Sequence, residues 1–233
     1  MPPLLAMDCA GPVCSVALIA AGEIGVSRFA RVDRGHAQVL LPTIADALAE
    51  AGAAYRDIGC FAVTVGPGSF TGIRTAIATA RGLALALSRP LVGVTTLEAV
   101  ARGARLAGAE SGADCLVVLD TRRADFYVQR FAPDGAARTL PAAMMPERLV
   151  STIGAGPLLL AGDAAASLVP LLDTRGIAFD GPAGEGFADP ADIAAIAAER
   201  WNGRSAGELP PVRPLYLRAP AATRPPAGGR LRP

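Results

Sequence analysis

The chain has 233 residues, a formal charge of +1, a mean hydropathy of +0.38 and 52% hydrophobic residues, with alanine carrying much of the apolar count, and 26 glycines besides. That length supports one large domain or two small ones with real cores. No stretch reaches the roughly 18 uninterrupted apolar residues of a membrane span, and the near-neutral balance argues against a strong electrostatic grip on nucleic acid by this chain alone.

Lysine is absent and His36 is the single histidine. A P-loop lysine, a Schiff-base lysine and a lysine general base are therefore excluded, and a multi-histidine metal site or an ordinary histidine-based triad would each have to rest on one imidazole. The first residues show no basic segment leading into an apolar core, so no signal peptide is expected. Cys9, Cys14, Cys60 and Cys115 form no CxxC pair and are read as buried, reduced thiols of a cytoplasmic protein.

In chain order, Leu4 to Asp8 reads as a short strand ending in an acid. Cys14 to Ile19 and Ile24 to Phe29 follow as strands of an antiparallel meander, with a turn at Ala21-Gly22. His36 to Ala51 has a helical apolar face, and Pro42 should kink that helix or mark its effective start. Phe61 to Val65 is a fourth strand. It feeds Gly66-Pro67-Gly68-Ser69-Phe70-Thr71-Gly72, which opens a small-residue helix running to about Leu87. Leu91 to Val94 is a buried strand, and Thr96 to Leu106 a helix with Thr96 as its expected N-cap.

Leu116 to Asp120 repeats the strand-then-acid theme of Leu4 to Asp8. Asp125 to Phe131 is its expected antiparallel partner, with a turn at Pro133-Asp134-Gly135. Leu158 to Ala161 is a further strand, with Asp163 expected to cap the next helix. Asp189-Pro190-Ala191-Asp192 combines an N-cap, proline at the first helical position and an acid in the first turn. From about Asn202 the chain is rich in Pro, Gly and Arg, and its end is expected to be disordered.

The chemistry concentrates at the glycine turn, which admits two readings. A strand, a glycine-rich turn and a helix N-terminus can cradle a phosphate; Asp8, Gly66, Gly68, Ser69 and Thr71 are then the candidate nucleotide contacts. The alternative is a tight turn, capped by Ser69 or Thr71, that positions the helix behind it. Along that helix Ile73, Ile77, Ala80, Ala84 and Leu87 form an apolar stripe, and Ala76, Ala78 and Gly82 thin other faces enough for a second backbone to approach. Asp8 and Asp120 at strand ends could hold Mg²⁺ water or simply stabilise turns. His36 is followed by Leu40 where a helical two-histidine metal site needs its second ligand. Ser69 sits in GPGSF, which is not the G-x-S-x-G of a nucleophile elbow.

The segment GPGSFTGIRTAIATARGLAL resembles the diagnostic stretch of the bacterial TsaB (YeaZ-like) family of tRNA threonylcarbamoyladenosine biosynthesis proteins. The resemblance extends to LLAMDCAGPVCSVAL, RGHAQVLLP, PLVGVTTLEAVA and VVLDTRRADFYVQ, is dense from Leu4 to Phe131, and returns late at Pro214-Leu215-Tyr216-Leu217-Arg218. It implies an α/β, actin-like ATPase fold of the sugar-kinase/Hsp70 type, with two duplicated subdomains whose mixed sheets are flanked by helices. On that reading residues 1–95 and 96–218 are the subdomains and 219–233 a disordered tail.

The same resemblance implies a part in making N6-threonylcarbamoyladenosine in tRNAs that read ANN codons. The chain would be a non-catalytic scaffold docked on a TsaD-like catalytic paralogue, with a TsaE-like ATPase as a further partner and tRNA engaged only through the complex. Leu40 in place of a second histidine fits a non-catalytic paralogue with no metal of its own and weakens the peptidase-like label the family sometimes carries. Ile73, Arg74, Ala76, Ile77, Ala80, Arg81, Ala84 and Leu87 are the expected partner interface, serving a homodimer when the chain is alone. No cofactor is expected, ATP and Mg²⁺ entering at most weakly or at the partner interface. The rival functions are a nucleotide-hydrolysing enzyme built on Asp8 and the glycine turn, and a metallopeptidase.

Overall fold

A computed structural model describes residues 2–20, 23–32, 35–108, 112–154, 156–184 and 186–218. The first sheet contains β1 (Leu4–Asp8), β2 (Val13–Ala20), β3 (Glu23–Arg31), β4 (Cys60–Thr64) and β5 (Leu91–Val94), in the order β3-β2-β1-β4-β5. β1 pairs antiparallel with β2 and parallel with β4, and β5 extends the parallel side. The second sheet contains β6 (Asp114–Asp120), β7 (Phe126–Phe131), β8 (Ala142–Met144), β9 (Leu158–Ala161) and β10 (Phe179–Ala183). Its order, β8-β7-β6-β9-β10, and its mixture of two antiparallel and two parallel pairings repeat the first sheet. The fold is α/β and duplicated. Asp8 and Asp120 occupy equivalent strand ends.

Every residue of β1, β4 and β9 is buried, which is why these strands read as unbroken apolar runs instead of alternating ones. Leu5, Met7, Phe61 and Val63 face α1 (His36–Glu50) and α2 (Phe70–Ala86). Leu4, Ala6, Cys60 and Ala62 face the opposite way, into a core shared with α3 (Thr96–Ala107), α6 (Pro190–Trp201) and the inner face of the second sheet. On the far face of that sheet lie α4 (Pro146–Thr152) and α5 (Ala165–Thr174). The layers thus run helix, sheet, helix, sheet, helix. In the middle layer α3, which follows the first sheet's last strand, packs on the second sheet, while α6 packs on the first.

Several local expectations change. α1 does not start at Pro42 but continues through it, with the proline on its exposed face. The N-cap of α3 is Thr95, not Thr96. Thr95 Oγ1 accepts the Glu98 N–H at 3.1 Å and Glu98 Oε2 accepts the Thr95 N–H at 2.9 Å, a complete capping box. Asp163 does not cap α5, because its Oδ1 accepts the Asp120 N–H at 2.8 Å. Asp189 caps α6 as read, accepting the Ala191 N–H at 2.7 Å ahead of Pro190. The Ala21-Gly22 turn and the tail 219–233 lie outside the described residues.

The two threonines at the start of α3 separate in a stability measurement. Thr95→Ala should cost about 1 kcal/mol, the usual value of a lost N-cap. The Thr96 hydroxyl is buried without a partner, so Thr96→Val should be neutral or slightly stabilising. Urea midpoints of the two variants against the parent check both.

Candidate functional site

The carboxyl ends of β1, β4, β6 and β9 face one another around a cavity of about 780 Å³, a volume suited to a small ligand. The duplication supplies its walls. Ala10, Gly11 and Pro12 after β1 are matched by Asp120 to Arg123 after β6, and Pro67 to Phe70 after β4 by Asp163 after β9. Leu215 to Arg218 close the remaining side.

Asp8, a candidate magnesium ligand from its position, does not line this cavity. It is 5% exposed, accepts the Thr64 hydroxyl in a short hydrogen bond and accepts the Ala10 N–H at 2.9 Å. Burial, only partly offset by these hydrogen bonds, pushes its carboxyl from the ordinary 3.8 up to about 6. Its counterpart Asp120 does line the cavity, but its Oδ1 accepts the Arg122 N–H at 2.7 Å and its Oδ2 lies 3.5 Å from the Arg122 guanidinium. Burial also raises the Asp163 carboxyl. His36 lines the cavity with Nε2 3.4 Å from the Gly11 carbonyl. Among the described residues no group of three or more His, Cys, Asp or Glu side chains is placed to hold a metal ion.

The glycine turn is packed against the loop after β1. The Ser69 N–H donates to the Ala10 carbonyl at 2.7 Å. A Cβ on Gly68 would strike that carbonyl, and one on Gly72 the Cys9 carbonyl. Gly66 has φ +102, which only glycine adopts without strain. Ser69 is the N-cap, its Oγ accepting the Gly72 N–H at 3.2 Å. These glycines let two backbone segments touch, and two amides of the turn, those of Ser69 and Gly72, are already bonded. Thr71 is exposed on the first turn of α2.

The expected partner interface divides in two. Ile73, Ala76, Ile77, Ala80 and Ala84 are 0–7% exposed and belong to the core between α2 and the first sheet. They are the inner face of the helix, not a surface, because their spacing follows the stripe that meets the sheet. Leu87 is half-buried; Arg74 and Arg81 are exposed. Also exposed along α2 are Phe70, Ala78, Gly82, Leu85 and Ala86, with Leu85 83% exposed.

A segment that sequence reasoning singled out only for its late similarity proves to be structural. Residues 212–218 strap the two halves across the cavity mouth. The Leu215 N–H donates to the Val65 carbonyl at 2.7 Å, and Arg81 donates to the Val212 carbonyl. Arg74 Nε donates to the Tyr216 hydroxyl at 2.7 Å while its guanidinium lies 3.8 Å over the Phe70 ring. At the far end Arg218 pairs with Asp125 and lies 5.9 Å over the Tyr127 ring. The apolar and aromatic alternation of Leu215-Tyr216-Leu217 was the available signal.

With this geometry in hand, the comparisons with known proteins are specific. Residues 30–167 match the TsaD family, described as tRNA N6-adenosine threonylcarbamoyltransferase. The tRNA threonylcarbamoyladenosine biosynthesis protein TsaB of Escherichia coli is 39% identical over 132 residues, 56% of this chain and 55% of that protein, so this match spans about half the relative's length. YeaZ from Pseudomonas aeruginosa superposes with a TM-score of 0.76 at 30% identity, covering 93% of this chain and all of the other. Component A of (R)-2-hydroxyglutaryl-CoA dehydratase from Acidaminococcus fermentans, at 11% identity and a TM-score of 0.50, shares the fold, covering 85% of this chain and all of the other. Among the described residues no helix is long and apolar enough to cross a membrane.

The buried acid gives a pH test. Asp8 keeps its proton in the fold to about pH 6, whereas an exposed aspartate loses it near 3.8. Between those values the unfolded state binds fewer protons, so this group's contribution to stability is full at low pH and falls as pH rises. Relative to the parent, Asp8→Asn should gain on the order of 3 kcal/mol between about pH 4 and about pH 7. Urea unfolding of both proteins across that range measures it; a difference independent of pH contradicts the assignment.

Proposed function

This chain belongs to the TsaB/YeaZ family, and from that premise we propose that it is a non-catalytic docking subunit for a TsaD-like paralogue in forming N6-threonylcarbamoyladenosine on tRNA. The observation that carries the reading is Gly82. A glycine inside a helix costs about 1 kcal/mol relative to alanine, yet a Cβ there would meet nothing within 4 Å in this chain. The fold itself has no use for this glycine. A second backbone approaching the helix does.

The neighbouring surface has the matching character. Ala78, Gly82 and Leu85 on α2 and Ala37, Leu41 and Ala45 on α1 are exposed, and α1 and α2 pack side by side over the same face of the first sheet. No acid occurs anywhere in α2. An apolar, small-residue surface of two adjacent helices suits close helix–helix contact. A homologue sharing this fold is a natural occupant, since the two chains would meet through related elements, and a second copy of this chain is the natural substitute when the paralogue is absent. Engagement of tRNA, and of a TsaE-like ATPase, would then fall to the assembled complex.

Substitutions on the two faces of α2 distinguish docking from folding. Gly82→Ala should stabilise the isolated chain by up to about 1 kcal/mol. Gly82→Arg and Leu85→Arg should leave its thermal unfolding nearly unchanged and weaken capture of the TsaD homologue by about thirtyfold or more, the scale of an interface hot spot. Ala80→Arg, on the buried face, should fail to fold. Retention of the complex by both outward-face variants would exclude this docking surface.

A further inference from the structure

We infer that Cys9 and Cys14 form a thiol–disulfide pair, oxidised by a small hydroperoxide. The observation is geometric and independent of the docking surface. The register of β1 and β2 pairs Met7 with Val16 and Asp8 with Ser15; the next rung sets Cys9 opposite Cys14. Both side chains point to the same side, with their sulfurs 3.0 Å apart, and both thiols are free and buried. Facing residues of an antiparallel pair have Cα atoms about 4.5–5.5 Å apart, within the roughly 4.4–6.8 Å span of a disulfide. Bond formation needs the sulfurs to close by about 1 Å, with no rebuilding of the hairpin.

Access and chemistry fit the same pair. Of the four residues between the two cysteines, Ala10, Gly11 and Pro12 line the cavity, while both cysteines are buried behind them, so a small peroxide meets this loop first and gains the sulfurs when the loop opens. Hydrogen bonding from Cys9 lowers the Cys14 thiol below its usual range, while the same contact together with burial raises Cys9. Cys14 is accordingly the attacking thiolate. Its sulfur takes one oxygen from the hydroperoxide, giving a sulfenic acid and releasing the alcohol, or water when the oxidant is hydrogen peroxide. Cys9 then attacks the Cys14 sulfur, the S–S bond forms, and the sulfenic oxygen leaves as water with the Cys9 proton. Two thiols lose two electrons and the peroxide is reduced by two. Cys60 and Cys115 differ in kind: burial pushes each up to about 12, and neither lies against another thiol among the contacts described. The new bond would tether the loop whose Ala10 carbonyl accepts the Ser69 N–H, joining the oxidation state to the glycine turn.

The test uses the full chain, reduced with dithiothreitol, freed of reductant and exposed to hydrogen peroxide. After catalase treatment it is denatured in iodoacetamide and cut with trypsin. The peptide ending at Arg28 carries Cys9 and Cys14, the peptide Asp57 to Arg74 carries Cys60, and Leu106 to Arg122 carries Cys115. The expected result is loss of both alkylations and two hydrogens from the first peptide, reversed by dithiothreitol, while Cys60 and Cys115 stay alkylated. Full alkylation of all four cysteines after peroxide, oxygen addition without a disulfide, or links between different peptides would overturn the pairing. Cys14→Ser should leave Cys9 alkylated under the same treatment; the parent measurement decides the matter even where that variant folds poorly.

Discussion

The structure depends on one layer, the pair of helices trapped between the two sheets. α3 and α6 each cover the sheet of the other half, so neither sheet can bury its inner face without the other repeat. Beside the ion pairs of Arg102 with Asp192 and Glu199, the polar side of this arrangement includes one continuous chain of contacts. Thr95 and Glu98 close the start of α3 as a capping box, and Glu98 also accepts from Arg200 of α6 at 2.6 Å. Arg200 in turn donates to the Gly93 carbonyl of β5 at 2.8 Å. One acid therefore begins a helix and ties it to the helix of the opposite repeat. A charge-assisted contact that is partly shielded from water holds orientation better than an exposed pair does.

That layer sets the strand ends of both sheets facing one another and so creates the cavity. The two repeats then diverge in what they present to it. Asp8 is turned in and sealed by Thr64, whereas Asp120 stays at the wall beside its own arginine. The β4–α2 turn spends its Ser69 amide on the Ala10 carbonyl, while on the other side Asp163 holds the Asp120 amide. Both halves satisfy their loops internally, by different groups at equivalent places. The strap from Val212 to Arg218 uses arginines from α2 to close the remaining side.

The architecture was legible where period and punctuation agreed. The buried strands announced themselves as short apolar runs bounded by turns, and α6 by Asp189 followed by proline. Duplication was visible only as two strands ending in acids; the repeated pairing order needs long-range contacts that no window of sequence contains. Thr95 and Thr96 are both competent caps, and the choice turned on which one has Glu three residues on. Pro42, which reads as a kink or as the helix's effective start, lies inside an element that begins six residues before it. The stripe along α2 is legible as apolar, but periodicity identifies a buried face without saying what buries it, the chain's own sheet or a partner.

Residues on the opposite face carry the information that the stripe could not. Alanine at Ala80 is explained by its 0% exposure against the first sheet, where a larger side chain has no room. No such account exists for Gly82, which faces outward with nothing near it. A residue that costs helix stability and is not needed by its own fold points outside the molecule. Small size on the inner face reflects packing in the chain; small size on the outer face reflects a contact still to be made. The two faces of one helix thus answer different questions, the inner how the chain folds and the outer what it meets.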